Sequence, residues 1–253
     1  LSSYKSSQYE AELARSLASP EDYWAEMAAN TVWTRKWDRV IDDSSSPFTR
    51  WFPGGELSVC YNAVDRHVDE GHGEQAALIW DSPITGSKER ISYGQLQERV
   101  AKLAGVLAAQ GVARGDRVLI YMPMVPEAVI AMLATVRLGA AHSVVFGGFA
   151  AKELAVRIRH AQPKVIVSAS CGLEPGRVVQ YKPSVDQAIA LAGGGVKSLV
   201  LQREQWPGEL LPGDLLYQEE VEGALAHDCV PVEANKPLYI LYTSGSTGQP
   251  KGV

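Results

Sequence analysis

Short, continuously apolar segments alternate with amphipathic helical patterns from about residue 62 onward. Arg117-Val-Leu-Ile-Tyr121, for example, indicates a buried strand, and a helical pattern that begins at Pro126 follows it. Strands that are apolar on both sides must be covered on both sides, and parallel strands need helical crossovers between them. The alternation therefore predicts an α/β fold: a mostly parallel sheet with helices on both faces.

The same pattern predicts the individual elements. The predicted strands are Ala76–Trp80, Arg90–Tyr93, Arg117–Tyr121, Ser143–Phe146, Lys164–Val167, Leu199–Leu201 and Leu238–Tyr242. The predicted helices are one capped by Ser92 and stopped at Gly111, one from Pro126 to Gly139, Lys152–His160, and one near Val185–Leu191.

The first sixty or so residues lack this alternation, and we predict a separate N-terminal layer over residues 1–61, followed by residues 62–253 as part of a larger domain. Ser19-Pro-Glu-Asp22 is typical of a helix start, with a hydroxyl cap, a proline at the first helical position and acids in the first turn. Four of the six tryptophans lie in this layer: Trp24, Trp33, Trp37 and Trp51.

Charge, hydropathy and cysteine spacing exclude several classes of protein. The net charge of −5 argues against a nucleic-acid-binding surface. No apolar stretch approaches the roughly 20 residues that span a bilayer, so no membrane partner is expected. Cys60, Cys171 and Cys229 are far apart and lack paired spacing, which indicates neither a disulfide framework nor a zinc site and favours a reducing compartment.

A glycine- and hydroxyl-rich loop with a single lysine follows the last predicted strand: Tyr242-Thr-Ser-Gly-Ser-Thr-Gly-Gln-Pro-Lys-Gly252. The backbone N–H groups and hydroxyls of such a loop can surround a phosphate chain, and the cation balances its charge. The spacing is not that of the common P-loop, because the Gly-Lys ending counted from Gly245 should begin at position 250, which is proline. The alternative is a Ser/Gly-rich surface turn.

Two further segments carry weaker signals when they are taken alone. His142-Ser-Val-Val-Phe-Gly-Gly-Phe149 ends a predicted strand in a double glycine and then opens a helix. Glycines there allow close backbone approach, either to a ligand or to pack a helix against a strand. Glu174-Pro-Gly-Arg-Val-Val-Gln-Tyr-Lys-Pro183 indicates a turn with a few charges.

The loop Thr243–Gly252 resembles the phosphate-binding signature of adenylate-forming enzymes, which include acyl-CoA synthetases, luciferases and peptide-synthetase adenylation domains. The resemblance implies that the loop holds the departing β,γ-phosphates of ATP, with Mg²⁺ bridging phosphate oxygens and no metal ligand supplied by this chain. The implied contacts are hydroxyls from Thr243, Ser244, Ser246 and Thr247, backbone N–H groups from Gly245 and Gly248, and the catalytic cation of Lys251. The chain departs from many short-chain members at Gln249, where they have lysine.

The two weaker segments together resemble the coenzyme A nucleotide site of short-chain acyl-CoA synthetases. The resemblance implies that Phe146, Gly147 and Gly148 face the adenine end of CoA, and that Glu174, Pro175, Gly176 and Arg177 line its phosphates. Acetyl-CoA synthetases usually have arginine where this chain has Glu174. The Glu-Pro-Gly-Arg version resembles instead the propionyl-CoA synthetase subgroup, which includes a mitochondrial short-chain member, and Asn62–His67 strengthens that match.

The family resemblance implies a two-step reaction. A carboxylic acid attacks the α-phosphorus of Mg-ATP to give an acyl adenylate and pyrophosphate, and the thiolate of CoA then displaces AMP. We expect a short-chain acyl-CoA synthetase that prefers propionate over acetate. The alternatives are an acetyl-CoA synthetase and a non-catalytic module that keeps only nucleotide or CoA affinity.

Family members carry the acid pocket, the magnesium motif and the catalytic lysine of the small C-terminal domain later in the chain. We therefore expect these 253 residues to be an N-terminal fragment, inactive in adenylation when alone. An uncovered apolar region of its sheet would favour self-association. The expected location is the mitochondrial matrix for a eukaryotic source and the cytoplasm for a bacterial one.

Overall fold

The computed structural model describes residues 2–243 and 251–253, with side chains from residue 7 onward. The chain divides into two compact units, of which the smaller contains Leu1–Ser58 with Pro231–Lys236 and the larger contains Val59–Val230 with Pro237–Val253. Within the described residues, no helix combines the length and the apolar character needed to cross a membrane.

The described residues contain eight α-helices and fifteen short strands. The helices are α1 (Ser2–Ala18), α2 (Pro20–Ala28), α3 (Arg66–Asp69), α4 (Tyr93–Ala109), α5 (Pro126–Arg137), α6 (Ala151–Ala161), α7 (Tyr181–Ala192) and α8 (Tyr217–Glu222), with a π-helical turn, Tyr61–Asp65, directly before α3. The strands are β1 (Ile41–Asp42), β2 (Arg50–Trp51), β3 (Glu56–Leu57), β4 (Ala76–Ser82), β5 (Ser87–Ser92), β6 (Arg117–Tyr121), β7 (Ala141–Val144), β8 (Val165–Ala169), β9 (Cys171–Glu174), β10 (Arg177–Gln180), β11 (Lys197–Leu201), β12 (Leu215–Leu216), β13 (Val232–Glu233), β14 (Tyr242–Thr243) and β15 (Lys251–Gly252).

Three partly buried aromatic rings pack together in the smaller unit. Trp33, Trp37 and Phe52 pack with ring centroids 4.9 to 5.4 Å apart. The short strand β13 returns to this unit and pairs with β3 in antiparallel fashion. Helix α2 begins at Pro20, as predicted, but the side chain of Ser19 makes no capping hydrogen bond, so the predicted hydroxyl cap was wrong.

A five-stranded parallel sheet forms the centre of the larger unit, in the order β12-β11-β8-β6-β7. Its side chains alternate between two buried clusters because successive residues of a strand point to opposite faces. Val118 and Ile120 join the cluster that contains residues of α4 and α5. Leu119 and Tyr121 join the cluster that contains residues of α6 and α7. The predicted α/β fold with helices on both faces of a parallel sheet is therefore confirmed.

The predicted cap of α4 is present. The Ser92 hydroxyl accepts a hydrogen bond from the backbone N–H of Gln95, and the Gln95 side chain accepts one from the backbone N–H of Ser92. This reciprocal capping box satisfies two N–H groups that a helix N-terminus would otherwise leave unpaired. It fixes the point at which β5 turns into α4.

The last predicted strand, Leu238–Tyr242, is not continuous in the structure. Tyr239 forms an isolated parallel bridge with His142 of β7, and Ile240 donates a backbone hydrogen bond to His142. The chain then exchanges two backbone hydrogen bonds between Leu241 and Val253 and continues as the antiparallel pair β14–β15. The prediction of one strand was wrong because the returning end of the chain takes over the pairing after Ile240.

Candidate functional site

Two segments follow the carboxyl ends of β7 and β8, the strands on either side of β6 in the parallel sheet. The chain passes from β6 to β7 on one side of β6 and then to β8 on the other side, so the winding direction reverses at β6. The segment 145–150 follows β7, and the segment from Ser170 follows β8. Open α/β sheets bind ligands in the crevice at such a reversal point, beyond the carboxyl ends of the strands.

Phe146, Gly147 and Gly148 place an exposed aromatic ring beside backbone without side chains. The side chain of Phe146 is 71% exposed. A Cβ added at Gly147 would lie 2.1 Å from the hydroxyl oxygen of Tyr181, and one added at Gly148 would lie 2.6 Å from the ring of Phe146. Packing therefore accounts for the glycine at position 147. At position 148, the ring of Phe146 lies where a side chain would stand.

Two buried tyrosines hold this segment in place. The hydroxyl of Tyr121, at the end of β6, lies 3.0 Å from the carbonyl oxygen of Gly147 and 2.9 Å from that of Phe149. Burial raises the pKa of Tyr121 to about 12, so the hydroxyl keeps its proton for donation to these carbonyls. The ring of Tyr121 packs 4.9 Å from the ring of Tyr181, which is the first residue of α7. The sequence predicted a role for neither tyrosine.

Glu174, Pro175, Gly176 and Arg177 form the tip of an antiparallel hairpin between β9 and β10. Gly176 has a φ of +77°, which a glycine adopts without steric cost in a turn that follows proline. The guanidinium of Arg177 binds the Glu174 carboxylate through Nε at 2.7 Å and Nη2 at 2.6 Å. Both side chains are solvent-exposed, so the pair is weak and an anionic ligand can compete for Arg177.

Tyr181 brings the two predicted segments together. A Cβ added at Gly172, in the hairpin, would lie 2.5 Å from the Tyr181 ring, and the Gly147 position meets the hydroxyl of the same side chain. One aromatic side chain is therefore packed against a glycine of each segment. The structure joins Phe146–Gly148 and the β9–β10 hairpin through this contact.

We expect Gly147→Ala to destabilise the larger unit by about 1–3 kcal/mol, since the added methyl group overpacks a buried site. The reason is the 2.1 Å approach to the Tyr181 hydroxyl, which forces that side chain or the loop to move. Urea unfolding curves measure the change. Gly73→Ala is the matched control because its Cβ comes no nearer than 3.8 Å to another group. Equal stability losses in the two variants would contradict the packing role of Gly147.

The hairpin β14–β15 holds the two described ends of the predicted phosphate loop. Thr243 is directly opposite Lys251 in the antiparallel register, which puts their side chains on the same face. Lys251 is exposed. The other predicted loop residues lie outside the described part of the chain: Ser244, Gly245, Ser246, Thr247 and Gly248. Of the residues predicted to contact the phosphates of ATP, the described part of the chain therefore includes only Thr243 and Lys251.

Helix α6 connects this hairpin to the segment that follows β7. The Nδ1 atom of His160 lies 2.8 Å from the hydroxyl oxygen of Tyr242, and a Cβ at Gly252 would approach the His160 ring to 2.9 Å. The buried guanidinium of Arg157 lies 4.6 Å from the ring centre of Phe149 and 5.2 Å from that of Tyr242. Such cation–π contacts fix the rings on either side of the arginine. Neither Arg157 nor His160 was predicted, since their roles depend on contacts between distant segments.

Two family models match the chain. The model described as AMP-binding enzyme matches residues 64–253, and the model described as Acetyl-coenzyme A synthetase N-terminus matches residues 9–63. The first match covers most of the larger unit, including all the predicted site residues.

Proteins that are similar to this chain in sequence or in structure carry the names of CoA synthetases. The chain is 49% identical to the Homo sapiens protein named acyl-CoA synthetase short-chain family member 3, mitochondrial, over 100% of this chain and 37% of that protein. It is 42% identical to the acetyl-coenzyme A synthetase of Streptomyces avermitilis, over 91% of this chain and 36% of that protein. The structure of an acetoacetyl-CoA synthetase from Streptomyces lividans superposes with a TM-score of 0.85 at 24% identity, covering 94% of this chain and 36% of that one. The chain thus spans little more than a third of the length of these relatives.

Proposed function

This chain belongs to the family of AMP-binding enzymes, and from that premise we propose that the whole protein is a short-chain acyl-CoA synthetase. It activates a small carboxylic acid, propionate in preference to acetate, with ATP and then transfers the acyl group to CoA. In this proposal, residues 62–253 are the first part of the large AMP-binding domain, and residues 1–61 are an N-terminal extension of the acetyl-CoA-synthetase type.

The observation that carries the proposal is the arrangement at the reversal point of the sheet. An exposed aromatic ring at Phe146 stands over Gly148, and Tyr181 links its segment to a hairpin that presents an exposed guanidinium at Arg177. An aromatic face suits a purine base, and a guanidinium can bind phosphate oxygens in pairs. These groups fit the 3′-phospho-ADP end of CoA.

For the first half-reaction, we assign the positioning of ATP to the hairpin β14–β15 and the loop that it flanks. Lys251 supplies a fixed positive charge to the β,γ-phosphates as pyrophosphate leaves, and Thr243 supplies a hydroxyl on the same face of the hairpin. Charge that is already in place where the transition state needs it lowers the barrier without reorganisation. Mg²⁺ bound to ATP would neutralise further phosphate charge. On helix α6, Arg157 contacts both Phe149 and Tyr242 of the hairpin, and His160 contacts Tyr242.

The test is carboxylate-dependent ATP–pyrophosphate exchange by the intact protein, with acetate, propionate and butyrate measured in parallel. Exchange that is fastest with propionate supports both the reaction and the acid preference. Exchange that is fastest with acetate supports the proposed reaction but favours the acetyl-CoA synthetase alternative. No exchange with any acid would favour the non-catalytic nucleotide- or CoA-binding alternative.

The resemblance to a relative named as mitochondrial leads us to propose the mitochondrial matrix as the location in a eukaryotic source, and the cytoplasm in a bacterial one.

We propose that the 253 residues alone do not complete adenylation and that they self-associate. Exposed apolar side chains near the edge strand β7 support self-association: Val144, Phe146, Tyr239 and Leu241. A monomer by light scattering at all concentrations would contradict self-association, and acid-dependent exchange by these residues alone would contradict their inactivity.

We expect Arg177→Ala to weaken CoA binding by about tenfold to a hundredfold, which is the loss of one or two charge-assisted hydrogen bonds. The pair with Glu174 is exposed, so its removal leaves the fold intact. Calorimetric titration of the intact protein with CoA measures the change.

The matched control is Arg35→Ala, which removes another exposed arginine from an ion pair with a carboxylate three residues away. We expect the affinity of this control for CoA to equal that of the unaltered protein. If Arg177→Ala also binds CoA normally while exchange remains active, Arg177 is not a CoA contact.

A further inference from the structure

A buried cluster apart from the proposed site brings together two cysteines, an aspartate and an arginine. Cys60 precedes the π-helical turn that ends at Asp65, whereas Cys229 lies in the segment after α8. The Sγ atoms of both cysteines and a carboxylate oxygen of Asp65 all lie within 4.8 Å of one another. The Nη1 atom of Arg137 lies 3.7 Å from Cys60 Sγ and 2.7 Å from Asp65 Oδ2. The proposed reaction uses none of these four side chains.

A metal ion does not suit this cluster. The carboxylate oxygen of Asp65 that would bind the ion is already bonded to the Arg137 guanidinium at 2.7 Å. A cation would therefore sit against a fixed positive charge. Two thiolates and one carboxylate would also leave a structural zinc site one ligand short.

We infer that Cys60 and Cys229 are a reversible dithiol–disulfide pair, a modification site whose reactant is a hydroperoxide. The Arg137 guanidinium beside Cys60 favours the thiolate, which is the nucleophilic form of cysteine. The nearby Cys229 thiol, with help from Arg137, lowers the pKa of Cys60, and the nearness of Cys60 raises the pKa of Cys229. The Cys229 thiol itself donates to Asp65 Oδ2 at 3.6 Å. Cys60 is therefore the attacking sulfur and Cys229 the resolving one.

The chemistry proceeds in two steps. The Cys60 thiolate attacks one oxygen of the hydroperoxide, the O–O bond breaks, and the other oxygen leaves and takes up a proton as an alcohol, or as water from hydrogen peroxide. Cys229 then loses its proton and its sulfur attacks the sulfenic sulfur of Cys60, so that the S–O bond breaks and water leaves. Two thiols and one hydroperoxide thus give one disulfide, one alcohol and one water, and the two electrons lost by sulfur reduce the peroxide.

The surroundings of Cys229 allow this reaction. Cys60 is fully buried, but Cys229 is half-buried, so the Cys229 side of the pair is the side open to a small reactant. The two sulfur atoms must approach to about 2.05 Å from their present separation. Cys229 lies outside helices and strands, where the backbone can shift.

The experiment treats the intact protein with hydrogen peroxide and maps its peptides without reduction. We expect one linked species that joins the peptides of Cys60 and Cys229, together with loss of both thiols to alkylation and their recovery with dithiothreitol. Cys171, which is buried outside this cluster, is the internal control and should remain alkylatable after denaturation. Because this mapping needs no variant, it does not depend on whether a substitution folds.

Two variants separate the assigned roles. In Cys229→Ser, we expect no link, and Cys60 should stop at a sulfenic acid that dimedone traps. In Cys171→Ser, the link between Cys60 and Cys229 should form as before. Retention of both thiols, or a link through Cys171, would overturn the inference. So would Zn²⁺ alone protecting Cys60 and Cys229 from alkylation in a protein that peroxide does not link. None of these outcomes depends on acyl-CoA synthesis, so the inference can fail while the proposed function stands.

Discussion

Lys251→Met should slow ATP–pyrophosphate exchange by the intact protein about a hundredfold or more, the usual consequence of removing one preorganised charge that stabilises the transition state. Lys251 is the only lysine or arginine in the stretch from Tyr242 to the end of the chain. The register of β14 and β15 fixes it opposite Thr243, at one end of the predicted phosphate loop. Methionine keeps most of the length of the side chain and removes only its charge.

The control for this prediction is Lys236→Met, which removes an exposed lysine that is paired with Glu233 three residues earlier. We expect it to leave the exchange rate unchanged. Both lysines are exposed, so neither substitution should shift the unfolding temperature. Equal exchange rates in the two variants would remove Lys251 from the reaction, whereas partial rescue by Lys251→Arg would support a role of its charge.

The sheet could be predicted from the sequence because each of its central strands contains at least three consecutive apolar residues. β6, β8 and β11 are buried almost throughout, and only covered parallel strands tolerate such runs. The family was predicted for a different reason, since the match rested on the order of residues in the loop and in two further segments. The family models and relatives confirm that resemblance.

The contacts that position the site could not be predicted in the same way. Tyr121 ends an apolar strand and has the sequence pattern of an ordinary core residue, yet its hydroxyl meets two carbonyls of the segment after β7. Arg157 lies in a segment with the sequence pattern of an amphipathic helix, in which an arginine is expected on the solvent side. In the structure it is buried between Phe149 and Tyr242. Both roles depend on which distant segments the fold brings together, and the local sequence carries no signal for that.

Two of the elements that were not predicted, helix α1 and the hairpin β9–β10, were missed for local reasons. Helix α1 has few strongly apolar residues, and those that recur at helical spacing, such as Tyr9 and Leu17, are exposed in the structure. The hairpin β9–β10 was recognised only as a turn, although Val178 and Val179 after the Pro-Gly pair are typical of a strand. Four-residue strands are too short to show clear alternation, so the turn signal was the stronger one.

Loss of the ion pair between Arg137 and Asp65 should have a large effect on stability, because both residues are buried, with exposures of 5% and 6%. Although burial disfavours its charged form, the hydrogen bond to Asp65 raises the pKa of Arg137, and the guanidinium remains charged. Arg137→Met leaves the Asp65 carboxylate without its cation. We expect it to lower the free energy of unfolding by about 3–5 kcal/mol, as measured by urea unfolding.

A comparison with an accessible ion pair shows why burial decides this effect. The Arg99–Glu89 ion pair has the same distance, 2.7 Å, as the Arg137–Asp65 pair. Both Arg99 and Glu89, however, are partly exposed. Arg99→Met should therefore cost only about 0–1 kcal/mol, since water replaces the lost partner. Adding Asp65→Asn to Arg137→Met should recover part of the lost stability, because the orphaned charge, rather than the missing attraction, accounts for most of the cost. Equal losses in Arg137→Met and Arg99→Met, or no recovery in the double variant, would contradict this explanation.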